Sequence, residues 1–113
     1  MTRVLVLLAC FTLPAQVVRV VDGDTFDVTM RAWLNVTVNE RVRVLNVDAW
    51  EMRQALGPQA KRFAVQWLAD HAAGLMLTTC ERDSFGRILS VVKDGTTGET
   101  LADALKSSGN SKP

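Results

Sequence analysis

The order of apolar and polar positions divides the chain into three strand-like stretches, a helical stretch, two more strands and a short second helix. Residues 16 to 21, Gln-Val-Val-Arg-Val-Val, form a β-branched run that stops at Asp22-Gly23. Phe26-Asp-Val-Thr-Met30 then alternates apolar and polar side chains, and two such runs joined through Asp-Gly predict a hairpin. A third strand is expected from about Glu40 to Val47, with Val42 and Val44 on one face and Arg43, Leu45 and Val47 on the other. Residues 31 to 39 connect these strands or continue one or both of them.

After Glu51 the period changes. Gly57-Pro58 marks a boundary, and proline is well tolerated in a first helical turn. Ala60, Phe63, Ala64, Trp67 and Leu68 recur at the spacing of one helical face, and Gly74 suits the C-terminal cap. Leu75 to Cys80 reads as a fourth strand and Ile88 to Val92 as a fifth, with Asp94-Gly95 turning the chain. Thr100 can cap a last short helix with Asp103 at its third position, Leu101 and Leu105 facing inward. Residues 107 to 113 read as a polar, frayed tail. The order β-β-β-α-β-β-α is that of the OB-fold, a five-stranded, partly open Greek-key barrel, although a split α+β sandwich fits the same pattern.

Length and composition bound the function. At 113 residues, with 48% hydrophobic residues and a formal net charge of +1, the chain is a single globular domain without the broad basic face of a general nucleic-acid binder. Local grip on one or two phosphates needs no such face. His71 is the only histidine and no Cys/His spacing suits zinc, so neither a zinc site nor a Ser/His/Asp triad has material here. His71 falls near a helix C-terminus, where it complements the dipole, and it takes no catalytic role.

The first fifteen residues differ from the rest. Arg3, the apolar run Val4 to Leu13 and then Pro14-Ala15 make a short signal-peptide pattern, too short to span a bilayer. The expected division is therefore a leader over 1–15, a domain over 16–109 and a tail over 110–113, with a secreted or periplasmic product. The competing expectation is that residues 4 to 13 form an extra buried strand in a cytoplasmic protein. If the leader stays, Cys10 and Cys80 are both present and a disulfide can form, though nothing in their spacing demands one.

The candidate chemistry lies in three acidic segments and two arginines. Asp22-Gly-Asp24-Thr25 has one acid more than a turn requires. Asp48 and Glu51 follow the third strand, Arg43 lies on it among apolar residues, and Gly86 allows a sharp turn that aims Arg87. Carboxylates can hold a hard cation, and two arginines can hold a phosphate.

In combination these segments resemble the staphylococcal nuclease (thermonuclease-like) family. The resemblance is carried by Val20-Val-Asp-Gly-Asp-Thr-Phe26, by Arg41-Val-Arg-Val-Leu-Asn-Val-Asp-Ala-Trp-Glu51, by Gly57-Pro-Gln-Ala60, by Asp83-Ser-Phe-Gly-Arg87 and by Gly98-Glu-Thr-Leu-Ala-Asp-Ala-Leu105. It implies an OB-fold endonuclease, monomeric, that cuts DNA and RNA with calcium and leaves 3′-phosphorylated products. Asp24 and Asp48 match the calcium-ligating carboxylates, and Ala49 matches a position that ligates through its backbone carbonyl. Asp22 matches an outer-shell acid, Glu51 the residue cast as general base, and Arg43 and Arg87 the phosphate-binding arginines.

Departures from the family pattern bear on activity. Ala49-Trp50 stands in place of the usual Thr-Pro, which removes stiffening beside Glu51, and the loop from Glu51 to Gly57 is short. Phe85 stands where tyrosine is common, and the family's final helix and the aromatic before it are not present. The competing function is an inactive OB-fold module that binds nucleic acid without cutting it.

Overall fold

The computed structural model describes residues 9–113. Part of the expected leader, residues 1–8, lies outside the described residues. Five strands close into a barrel in the order β1-β2-β3-β5-β4. The elements are β1 (Phe11–Asp22), β2 (Thr25–Trp33), β3 (Val36–Val44), α1 (Gly57–Asp70), β4 (Leu75–Arg82), β5 (Ile88–Asp94) and α2 (Leu101–Ser107). This is the expected barrel of five strands and two helices.

β1 is long enough to serve two neighbours. Its first part pairs antiparallel with β4, from Phe11 opposite Thr79 to Pro14 opposite Met76, and the rest pairs with β2. Irregularities between Val17 and Arg19 and between Val20 and Asp22 bend it between the two partners. A disulfide joins Cys10 to Cys80 at the start of β1. Parallel pairing of Val42–Val44 with Ile88–Ser90 closes the barrel. Beyond that short seam, Arg82 reaches across to Glu40 at 2.6 Å.

Residues 31 to 39 do continue both strands, so the β2–β3 ribbon is longer than the alternation alone predicts. Its tip leaves Trp33 and Leu34 exposed. β3 stops at Val44 rather than Val47 because Asn46 adopts a left-handed conformation, φ 70°, that turns the chain out of the sheet. Asparagine is among the few side chains that tolerate that region.

The core follows the predicted faces. Phe26, Val28, Val42, Val44, Leu77 and Val92 fill the barrel, while Ala60, Ala64, Trp67 and Leu68 bury the stripe of α1. Each large side chain removed from water contributes about 1.5–3 kcal/mol. The capped start of α2 is as expected, with Thr100 Oγ1 accepting the Asp103 N–H at 3.2 Å. α1, however, ends at Asp70, and a single 3₁₀ turn (Ala72–Gly74) leads into β4. Gly74 is small for a different reason from capping: a Cβ there would lie 2.4 Å from Asp94 Oδ1 and from Thr96 Oγ1.

The end of the chain is not a frayed tail. Gly109, with φ 77°, turns it back after α2. Asn110 is buried and bonded to Gln59 and Ser108, and Ser111 forms a bridge with Ala49. Among the described residues, no helix is long and apolar enough to cross a membrane.

Candidate active site

The β1–β2 turn and the segment after β3 meet because their backbones bond directly. Thr25 on β2 lies opposite Arg43 on β3. Val44 N–H donates to the Asp24 carbonyl at 2.9 Å, and Ala49 N–H donates to Asp24 Oδ2 at 2.9 Å. Gly23 permits this approach, since a Cβ on it would stand 3.0 Å from the Ala49 Cβ and 3.1 Å from that of Ala60. The glycine of the hairpin signal is therefore needed for packing against α1 as well as for the turn.

The result is one open recess of about 470 Å³ whose lining includes Asp22, Asp24, Arg43, Asp48, Glu51 and Arg87, with Thr25, Met52 and Arg53 beside them. The six charged side chains singled out from the sequence thus face a common space, and Ala49 touches it through Asp24. Among the described residues, no three His, Cys, Asp or Glu side chains gather closely enough to hold a metal by themselves.

Asp24 is the buried member. Its Oδ1 accepts the Thr25 hydroxyl at 3.2 Å, and its Oδ2 lies 3.1 Å from Arg43 Nη1. Burial pushes its carboxyl above the ordinary carboxylate range, opposed by Arg43, the Ala49 amide and the Thr25 hydroxyl, while Asp22 adds to the rise. Arg43 Nη1 also donates to the Val44 and Val47 carbonyls at 2.8 and 3.0 Å, and Nη2 lies 3.5 Å from Asp48 Oδ1. A guanidinium thus stands between Asp24 and Asp48.

Arg87 is aimed by its own turn. Asp83 Oδ1 accepts the Phe85 and Arg87 N–H groups, and Oδ2 accepts Arg87 Nε at 2.7 Å. Gly86 supplies the left-handed residue that this turn needs, φ 85°, as its position implied. The Phe85 ring is exposed and lies under the Arg87 guanidinium at 5.6 Å, a cation–π contact that needs no hydroxyl.

Glu51 is held from several sides. Its N–H donates to Gln54 Oε1 at 2.7 Å, and Arg53 Nε donates to its Oε2 at 2.8 Å. Asp22 Oδ1 accepts the Met52 N–H at 3.2 Å, tying the same loop to the β1–β2 turn. Trp50 packs against the core and anchors the segment that lacks the proline. Lys112, which the sequence pattern left in the tail, places Nζ 3.8 Å from Asp48 Oδ1 and 4.0 Å from Glu51 Oε1. No local pattern marks Gly57 or Lys112 as site residues, because each acts through a contact that only the fold creates.

No protein-family model matches the chain. It is 34% identical over 85 residues to an uncharacterized endonuclease of Escherichia coli, covering 74% of this chain and 50% of that protein. It is 40% identical over 79 residues to a micrococcal nuclease of Shigella flexneri, covering 68% of this chain and 40% of that one. The chain therefore spans half or less of the length of these curated relatives.

Proposed function

We propose, from the premise that this chain belongs to the staphylococcal nuclease-like family, that it hydrolyses phosphodiester bonds of nucleic acid in the recess beside Asp24. The observation that carries the reading is the meeting of two arginines and the acids Asp24, Asp48 and Glu51 in one open space. An isolated binding module has no need of carboxylates where a phosphate must sit.

Arg43 and Arg87 bind the phosphate with their planar donor forks, more tightly as negative charge gathers on its oxygens. Asp83 and Phe85 keep Arg87 directed while it does so. Glu51 orients the attacking water and accepts its proton, with Arg53 and Gln54 fixing the carboxylate and its backbone. The water oxygen bonds to phosphorus, the bond to the 5′-oxygen breaks, and that oxygen takes a proton from solvent as it leaves, giving a 3′-phosphorylated product. Internal cutting, this product and action on both DNA and RNA follow the family resemblance.

Asp24, Asp48 and the Ala49 carbonyl would hold Ca2+, and Asp22 would order water beside it. The donor set fits, because every candidate ligand is an oxygen, as a hard cation prefers, and the Arg43 guanidinium that stands between the two carboxylates would compete with that cation. When bound, calcium neutralises a phosphate oxygen and templates the attack.

Export to an oxidising compartment is part of the same proposal, supported by the Cys10–Cys80 disulfide. Removal of residues 1–15 would take away Cys10 and the pairing of Phe11–Pro14 with β4, so the disulfide and a cut at Ala15 exclude each other. Mass measurement of the mature N-terminus tests this.

Fluorescent single-stranded DNA incubated with purified protein tests the activity. Cleavage with calcium, abolished by EDTA and restored by excess calcium, is expected. Salt-dependent binding that EDTA does not change, without cleavage, would favour the inactive module instead.

A further inference from the structure

The segment after α2 packs against the backbone of Asp48 and Ala49. Asn110 is 3% exposed, its N–H donates to the Leu105 carbonyl at 2.9 Å, and its side chain bonds Gln59 at 3.0 Å and Ser108 at 2.7 Å. From that anchor the chain runs antiparallel to the Asp48–Ala49 segment, with Ser111 bridging Ala49 and Lys112 N–H donating to the Asp48 carbonyl at 2.7 Å. The Lys112 side chain cannot wander far from this fixed backbone and is largely covered, its relative exposure 23%.

Its ammonium lies 3.8 Å from Asp48 Oδ1 and 4.0 Å from Glu51 Oε1. Arg43 Nη2 approaches the same Asp48 Oδ1 at 3.5 Å. Asp48 therefore stands between two of the chain's own cations, one from β3 and one from the segment after α2. Asp48 and Glu51 are themselves well exposed, at 64% and 46%, so solvent screens both pairs and the effect of Lys112 is modest.

We propose that Lys112 is a positioning residue that acts through Asp48: a tethered counter-ion that sets how tightly the recess holds a divalent cation. The inference rests on the proposed metal site. A fixed positive charge about 4 Å from a ligand carboxylate weakens the binding of a second cation there, and one such contact in a water-like medium corresponds to about a fivefold change in affinity. The device keeps Asp48 and Glu51 balanced by charge when no metal is present, and it raises the calcium concentration that the site needs.

Calorimetric titration of Ca2+ into the whole protein and its Lys112→Met and Lys112→Arg variants tests this without an activity readout. Methionine keeps most of the side-chain length and the backbone bond to Asp48 but removes the charge. The expected result is about fivefold tighter calcium binding by Lys112→Met, wild-type affinity for Lys112→Arg, and a slightly lower thermal midpoint in EDTA for Lys112→Met alone. Equal affinity of wild type and Lys112→Met would overturn the role of Lys112 while leaving the metal site standing. No calcium binding by any of the three would overturn the metal site, and the inference with it. Tightening in both variants would contradict a charge effect, since arginine keeps the charge.

Discussion

Gly57 lies directly against the backbone of Glu51: a Cβ on Gly57 would fall 1.8 Å from the Glu51 carbonyl oxygen. The start of α1 thereby sets where the loop carrying Glu51 runs. Gly57→Ala cannot be accommodated without moving that loop. The expected cost is about 1–3 kcal/mol of stability, and a loss of about 100-fold in cleavage if Glu51 shifts by roughly 1 Å. Urea unfolding and steady-state cleavage measure the two effects. Unchanged values for both would show that Glu51 is not placed by this contact.

Asp24 carries a cost at neutral pH. Its folded carboxyl titrates above its ordinary value of 3.8, with burial the leading cause. The native state therefore binds this proton more tightly than the unfolded chain. The stabilising contribution is present below pH 3.8 and is lost as pH rises through the folded value. Asp24→Asn is expected to be more stable than wild type at pH 7 in EDTA, with the gain shrinking toward pH 3, and to lose calcium binding. Unfolding midpoints at the two pH values check the sign, and a larger gain at pH 3 would refute it.

His71 and Asp94 form the opposite case, on the far side of the barrel from the recess. His71 Nδ1 lies 2.5 Å from Asp94 Oδ2, and its Nε2 lies 3.2 Å from Glu99. Its ring stacks on Trp67 at 4.1 Å between centroids. His71, then the Thr96 hydroxyl and amide, hold the Asp94 carboxyl down at about 2. A depressed carboxylate contributes stability that is present above pH 3.8 and lost as pH falls through about 2. His71→Ala is therefore expected to destabilise the protein more at pH 5 than at pH 2.5, while cleavage per folded molecule at pH 7 is unchanged. A pH-independent loss would remove the link to Asp94.

The disulfide ties residues 70 positions apart and closes the β1–β4 seam at its outer end. Cys80→Ser is expected to lower stability by about 2–4 kcal/mol. Reduction of the wild type should reproduce the loss and leave Cys80→Ser unaffected. Coincident unfolding curves for oxidised and reduced wild type would show that the seam holds without it.

The parts of this molecule that were legible in its sequence are those set by local pattern. Alternation exposed β2, and the stripe Ala60, Phe63, Ala64, Trp67 and Leu68 located α1. Asp24, Asp48, Glu51, Arg43 and Arg87 stand out through the family resemblance of their segments taken together, since each alone reads as an ordinary turn or strand residue. What was illegible depends on partners distant in the chain. The end of β3 is set by a single left-handed Asn46, which alternation does not register. Gly74 and Gly57 are required by atoms of Asp94 and Glu51, not by their own turns. Lys112 looked like a solvated tail because its neighbours at Asp48 and Ala49 lie more than sixty residues away.

The recess stands or falls on Arg87, which Asp83 and Phe85 aim into it from outside the β3 segment. The direct measurement is kcat/KM for cleavage of single-stranded DNA by wild type and Arg87→Ala in saturating calcium, with circular dichroism to confirm the fold. The loss expected is about 100-fold or more, the scale of removing one group that stabilises transition-state charge. Wild-type cleavage by a folded Arg87→Ala protein would contradict phosphate binding by this arginine and move the chemistry out of the recess.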